Sequence, residues 1–216
     1  MLAALLLATS AALPYHLSLQ ANPAAPFPFL AKFGTVTLHV YNGGVRADTM
    51  WLNGFSRIGS DTVTVENPLG RMYTNVPVSD LVAIVQKMAA GHVDEDAPPA
   101  IAPPVAGKVA GIQAKRYRLL YGPDAWIDVW TTDRVPENAQ LRKIVDSFVV
   151  AVAPMTAKSL HLIRGMPLYV ELNFSHYKKL PLIYPKEFQM TNAGQEKALN
   201  VGSFYIHAAV LDALWK

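Results

Sequence analysis

The six histidines, His16, His39, His92, His161, His176 and His207, are the first candidates for chemistry. Metal sites place two imidazoles on one face of a strand or helix, at H-x-H or H-x-x-x-H spacing. None of the six is so spaced, and the chain has no cysteine. Thiolate ligands, disulfides and cysteine nucleophiles are therefore excluded, and no metal or cofactor is expected. His39 falls on the polar side of an alternating run and reads as a surface or hydrogen-bonded side chain.

A serine nucleophile is the next possibility. Gly202-Ser203-Phe204 opens like a nucleophile elbow, but the second glycine of G-x-S-x-G is missing. Asp128 with His176 or His207 would complete a triad only if the fold brought the three together. Paired carboxylates have no better signature: Asp124, Asp128 and Asp133 are spread over a turn and a strand, and Glu171 stands at an outward position of PLYVELNF. GGVRAD precedes a strand, so it reads as a hairpin turn and not a phosphate cradle. The net charge is only +3. Basic pairs such as Arg142-Lys143 and Lys178-Lys179 are scattered, with no basic stripe interleaved with stacking aromatics, so nucleic acid is not an expected partner. Trp51, Phe55, Tyr73, Trp126, Trp130, Phe148 and Tyr169 are the remaining signal. They fall on elements that would share one sheet and its covering helix, and read as core.

Those elements can be laid out by alternation and punctuation. GTVTLHVY alternates Val36, Leu38 and Val40 with Thr35, Thr37 and His39, which is strand periodicity. VRADTMWL, FSRI, TVTVE and RMYTNV follow, joined by tight turns, with Asn53-Gly54 read as one of them. Short turns between strands require antiparallel order. Pro77 closes this meander, and Ser79 is the expected cap of a helix whose Leu81, Ile84, Val85 and Met88 form one stripe. The proline- and acid-rich stretch 91–108 reads as an exposed inserted loop, open to proteolysis near Lys108. GIQAKRYRLLY and WIDVWTT form a hairpin about Gly122-Pro123-Asp124. A helix from Pro136 carries Leu141, Ile144, Val145, Phe148 and Val152, and Pro154 breaks it. PLYVELNF and KLPLIYPKEFQMTN are two more strands, the second placed by its prolines at an edge or a bend.

About nine strands with two or three helices predict a mainly β, α+β fold. Its form is a curved antiparallel sheet, or incomplete β-barrel, with helices on the concave face. Hydrophobic residues are 51% of the 216 and charged ones 16%, ample for a large core or an apolar groove. Residues 1–12, MLAALLLATSAA, are too short for a bilayer span of about 20 residues but suit the apolar part of a secretory signal. Cleavage is expected after Ala12, with a mature N-terminus between Leu13 and Phe27; a buried N-terminal helix is the competing reading. The domain plan is thus a signal at 1–12, a proline-rich spacer at 13–33 and a single domain at 34–216 with the insert at 91–108. Without an acylatable cysteine or a transmembrane segment, the mature protein is expected free in the periplasm or secreted.

Val45-Arg46, a turn, and then TVTVENPLGRMYTNVP at 62–77 resemble the strand–Asn/Asp-Pro–basic–x–Tyr hairpin of LolA-like proteins, the bacterial lipoprotein-carrier superfamily. The order of leader, meander, helix, hairpin and further strands is similar over residues 34 to about 192. The 91–108 insert and proline-rich text in place of a first amphipathic helix depart from the family. The resemblance implies a cavity that takes up lipoprotein acyl chains or other lipids. If the helix carrying Phe148 covers the concave face, then Leu38, Val65, Val129 and Leu168 should line the space beneath it with Phe148. Three functions remain open from sequence: a soluble exported lipid or lipoprotein carrier, an envelope interaction module with a filled core, and a hydrolase.

Overall fold

The computed structural model describes residues 14–23, 34–89, 96–134, 137–174, 177–190 and 196–208. The proposed leader, His92, His176 and the acids Asp94 and Glu95 lie outside them.

Strands form where apolar and polar residues alternate, because a pleated strand sends successive side chains to opposite faces. Six such runs open the fold: β1 (Tyr15–Ala21), β2 (Thr35–Tyr41), β3 (Gly44–Asp48), β4 (Asn53–Arg57), β5 (Thr62–Asn67) and β6 (Met72–Pro77). Helix α1 (Val78–Ala89) follows. Then come β7 (Ala100–Val109), β8 (Ile112–Leu120), β9 (Trp126–Thr132), helices α2 (Ala139–Val152) and α3 (Pro154–Ser159), β10 (Met166–Phe174), β11 (Tyr177–Met190) and β12 (Ile206–His207). The twelve strands among the described residues join one open, curved sheet in the order β12-β6-β5-β4-β3-β2-β1-β11-β10-β9-β8-β7. Every pair is antiparallel except β12 with β6. The curved antiparallel sheet with helices on one face is the expected fold class.

Four details differ from the sequence reading. Tyr15–Ala21, within the stretch read as a spacer, is a central strand paired with both β2 and β11. Its YHLSLQA alternation is strand-like, and the neighbouring prolines lie beyond its ends. The expected loop at 91–108 gives way to β7 from Ala100, and Lys108 pairs with Gln113. Pro103 and Pro104 are accommodated because β7 is an edge strand and its register shifts between Ala102 and Val105. Asn53-Gly54 belongs to β4, and the turn lies at Thr49–Leu52, where Thr49 Oγ1 accepts from the Leu52 amide at 3.0 Å. Finally, β11 is an interior strand. Its Pro181 and Pro185 stand beside register shifts, where a missing N–H leaves no gap in the ladder.

One face of the sheet carries the core. Tyr15, Leu17, Leu38, Val40, Val45 and Leu168 form its centre, closed by Leu141 of α2, with Ile144 and Val145 packed against them. Burial of each large side chain contributes about 1.5–3 kcal/mol. Asn138 caps α2 by accepting from the Leu141 amide at 3.0 Å, and Pro154 starts α3 at its first turn. Buried Gln140 fixes the helix to the sheet, donating to Ser56 Oγ at 2.7 Å and the Ser60 carbonyl at 3.1 Å. A second cluster joins Val63, Val76, Val78 and Leu81 beneath α1, which begins at Val78, so that Ser79 lies inside the first turn. A third joins Tyr117, Leu119 and Ile163. No helix among the described residues is long and apolar enough to cross a membrane.

Candidate functional site

Of the five residues expected to line a lipid cavity, four fall in three clusters of this helix-covered face. Leu38 (9% exposed) and Leu168 (1%) are packed in the centre with Leu17 (0%) and Leu141 (6%). Val65 is half-buried against the α1 cluster, and Val129 against the Tyr117–Leu119–Ile163 cluster. Phe148 is half-buried on α2, apart from the central cluster. Leu141 of α2 packs directly on this central cluster. Tyr15 is part of that cluster; burial, and then the charge of Glu137, push its hydroxyl far above the ordinary range.

The uncovered face holds the polar chemistry. Pairing of β8 with β9 sets Arg118 opposite Asp128 and Arg116 opposite Trp130. Pairing of β9 with β10 sets Asp128 opposite Glu171 and Trp130 opposite Tyr169. Arg118 grips Asp128 with two parallel bonds, Nε to Oδ1 at 2.7 Å and Nη2 to Oδ2 at 2.8 Å. This is the bidentate fit of a guanidinium to a carboxylate, and it neutralises a carboxylate that is 3% exposed. Two acids directly across strands repel, so the second needs other partners. Glu171 accepts from the Tyr169 hydroxyl at 2.9 Å and from Asn173 Nδ2 at 3.1 Å. Burial, then the bond to Glu171 and the two nearby carboxylates, push the Tyr169 hydroxyl up to about 12.

Aromatic rings frame this network. Arg118 lies 4.7 Å and Lys178 5.9 Å from the Trp126 ring centre, and Arg116 lies 5.7 Å from that of Trp130. A groove of about 280 Å³ results, lined by Lys108, Val109, Arg116, Asp128, Trp130, Tyr169 and Glu171. Arg116 and Lys108 have no carboxylate within ion-pair distance among the described residues. No serine or histidine lines the groove, and Asp128 is locked as a salt-bridged carboxylate. Donors, one acceptor and flat apolar walls suit recognition.

The other half of the same face carries a second network. His39 Nε2 meets Asp48 Oδ2 at 3.0 Å, and Arg46 reaches Asp48 at 2.7 Å and buried Glu66 at 3.0 Å. His16 stands edge-on to His39 with ring centres 4.3 Å apart. A C-terminal segment crosses this network. Leu199 (1% exposed) packs on Tyr41 and Phe55, the Ala198 carbonyl accepts from Arg46 Nη1 at 2.9 Å, and Asn200 Oδ1 accepts from Arg57.

Among the described residues the hydrolase candidates Ser203, Asp128 and His207 do not meet. Ser203 lines an open hollow of about 410 Å³ with Pro68, Arg71, Gly202, Phe204 and Tyr205. Asp128 lies near the opposite end of the sheet from β12, where His207 packs on Tyr73. No group of three or more His, Asp or Glu suited to a metal occurs among the described residues. Of the aromatics read as core, Phe55 is buried, Trp51 is exposed at a turn, and Trp126, Trp130 and Tyr169 belong to the uncovered face. Parity along RYRLL and WIDVW carries the signal for that face, since Arg116, Arg118, Trp126, Asp128 and Trp130 alternate with Tyr117, Leu119, Ile127 and Val129.

No protein-family model matches the sequence, and no curated protein does. Solved structures with a similar chain path include an uncharacterized conserved protein from Thermus thermophilus, at TM-score 0.49 and 8% identity, covering 91% of this chain and 90% of that one. PNGF-II in its P21 crystal form is similar at 0.44 and 12%, over 94% of this chain and 33% of that one. MucB in complex with MucA(peri) is similar at 0.37 and 10%, over 89% of this chain and 55% of that one. At such identities the likeness is one of chain path, without residue-level correspondence.

Proposed function

We propose that this chain is an exported binding module of the bacterial envelope that engages a protein partner and keeps its own core filled. The observation that carries the reading is the closed cluster beneath α2, where Leu17, Leu38, Leu141 and Leu168 are each at most 9% exposed. A lipid chain would have to displace these side chains at about 1.5–3 kcal/mol each. The uncovered face supplies recognition chemistry instead. Export is supported by the apolar stretch to Ala12. Cleavage has to precede Tyr15 for β1 to remain in the sheet.

An environment-sensitive apolar dye tests this against the carrier reading. The folded protein is expected to bind it only weakly and without saturation, and fatty acid or phospholipid is expected to compete for nothing. Saturable binding displaced by either lipid would restore the carrier and its site at Leu38, Val65, Val129, Phe148 and Leu168.

A further inference from the structure

Two patches of similar make-up lie on the uncovered face, and one has a peptide segment seated on it. In the covered patch Arg46 pairs with buried Glu66, a second acid (Asp48) stands beside it, and the guanidinium lies 5.9 Å from the Phe55 ring centre. In the open patch Arg118 pairs with buried Asp128, Glu171 is the second acid, and the guanidinium lies 4.7 Å from Trp126. Residues 198–200 show how a segment uses such a surface. One apolar side chain, Leu199, fills the gap between aromatic rings, a backbone carbonyl takes an arginine N–H, and a side-chain oxygen takes another.

We propose that the open patch is the docking groove for a linear, acidic–apolar segment of a partner protein, held as residues 198–200 are held in the covered one. The inference rests on reading the chain as a protein-binding module. The segment's apolar side chain packs on Trp130 and Tyr169. Its carboxylate meets Arg116, a groove cation with no acid of its own among the described residues. Glu171 lines the same groove and accepts a backbone N–H. The groove, at about 280 Å³, has room for one or two side chains.

The test selects a phage-displayed library of random dodecapeptides on the folded protein and measures the selected sequences as synthetic peptides by fluorescence anisotropy. Selected peptides should carry Asp or Glu within a few residues of a large apolar side chain. Their affinity should fall about tenfold or more in Arg116→Glu, as for the loss of one charge-assisted hydrogen bond, and should weaken as salt rises. Arg116→Gln, which removes the charge and keeps a polar side chain, gives the same readout should Arg116→Glu disturb folding. Arg71→Glu, at the other hollow, should change nothing. Failure to enrich any peptide, or enriched peptides that bind both groove variants as tightly as the unmodified protein, would overturn the docking groove. With the dye experiment negative, that failure leaves the filled-core module standing; saturable lipid binding overturns the module itself.

Discussion

Trp130 lies across Gly107, and only the absence of a side chain there lets the indole reach the sheet. A Cβ on Gly107 would stand 2.6 Å from Trp130 Cζ3 and 3.1 Å from Cη2. Ring and backbone thus form one wall of the groove on the uncovered face. Gly107→Ala should cost about 1–3 kcal/mol, the usual range for overpacking, and should red-shift tryptophan emission as the ring lifts away. A melt and spectrum identical to those of the unmodified protein would mean that the indole does not rest there.

The Arg118–Asp128 pair gives a second expectation. Removing one member of a buried pair leaves the other charged without a partner. Arg118→Met should therefore destabilise by about 3 kcal/mol, the lower end for such losses, because Arg118 keeps about a third of its side-chain surface in water. Arg118→Met with Asp128→Asn should be more stable than Arg118→Met alone. Urea unfolding of the two variants checks the order.

Leu168 separates a filled core from a cavity wall. In the packed cluster, Leu168→Ala removes atoms that touch neighbours on all sides and should cost about 2–5 kcal/mol. A side chain lining an empty cavity would lose far less. The shift of the urea midpoint at constant slope is the measurement.

Stability should also respond to pH through His16 and Asp48. Burial first, and then the charge of His39, lower the His16 pKa against the opposing pull of Glu187. The unfolded chain therefore takes up this proton first, near pH 6.5. The contribution of His16 is whole above about pH 6.5 and is lost as pH falls toward its lowered folded value. Burial alone would raise Asp48, but its bond from His39 and the charge of Arg46 outweigh that and hold it below the ordinary carboxylate value. Its contribution is present above about pH 3.9 and lost below. His16→Gln should flatten the decline below about pH 6.5, and Asp48→Asn the decline below about pH 4, as read from urea midpoints across pH.

Local pattern made much of this fold legible. Alternation marks β2, β5, β6, β8 and β9, and apolar stripes mark α1 and α2. The misreadings come where flanking residues spoke louder than the strand itself. YHLSLQA alternates well, but Pro14 and Pro23 bracket it. AIAPPVAGKV is a strand because the sheet edge tolerates proline, and edge position is not written locally. The adjacency of β1 and β11 closes the sheet across most of the chain, and no short window carries it. For the same reason Arg118 and Asp128 reveal themselves as a pair only once the hairpin register is known. Leu38 and Leu168 sit in the central cluster of the helix-covered face, where strand parity directs them. Whether the space they face is hollow depends on how β1, unseen in the sequence reading, fills it with Tyr15 and Leu17.

Native mass spectrometry of the protein released gently from its own cell tests the filled core most directly. The account predicts one species at the mass of the polypeptide cut before Tyr15, with no lipid retained under conditions that preserve noncovalent complexes. A population heavier by one phospholipid or fatty acid, stripped only when the protein is unfolded, would contradict it.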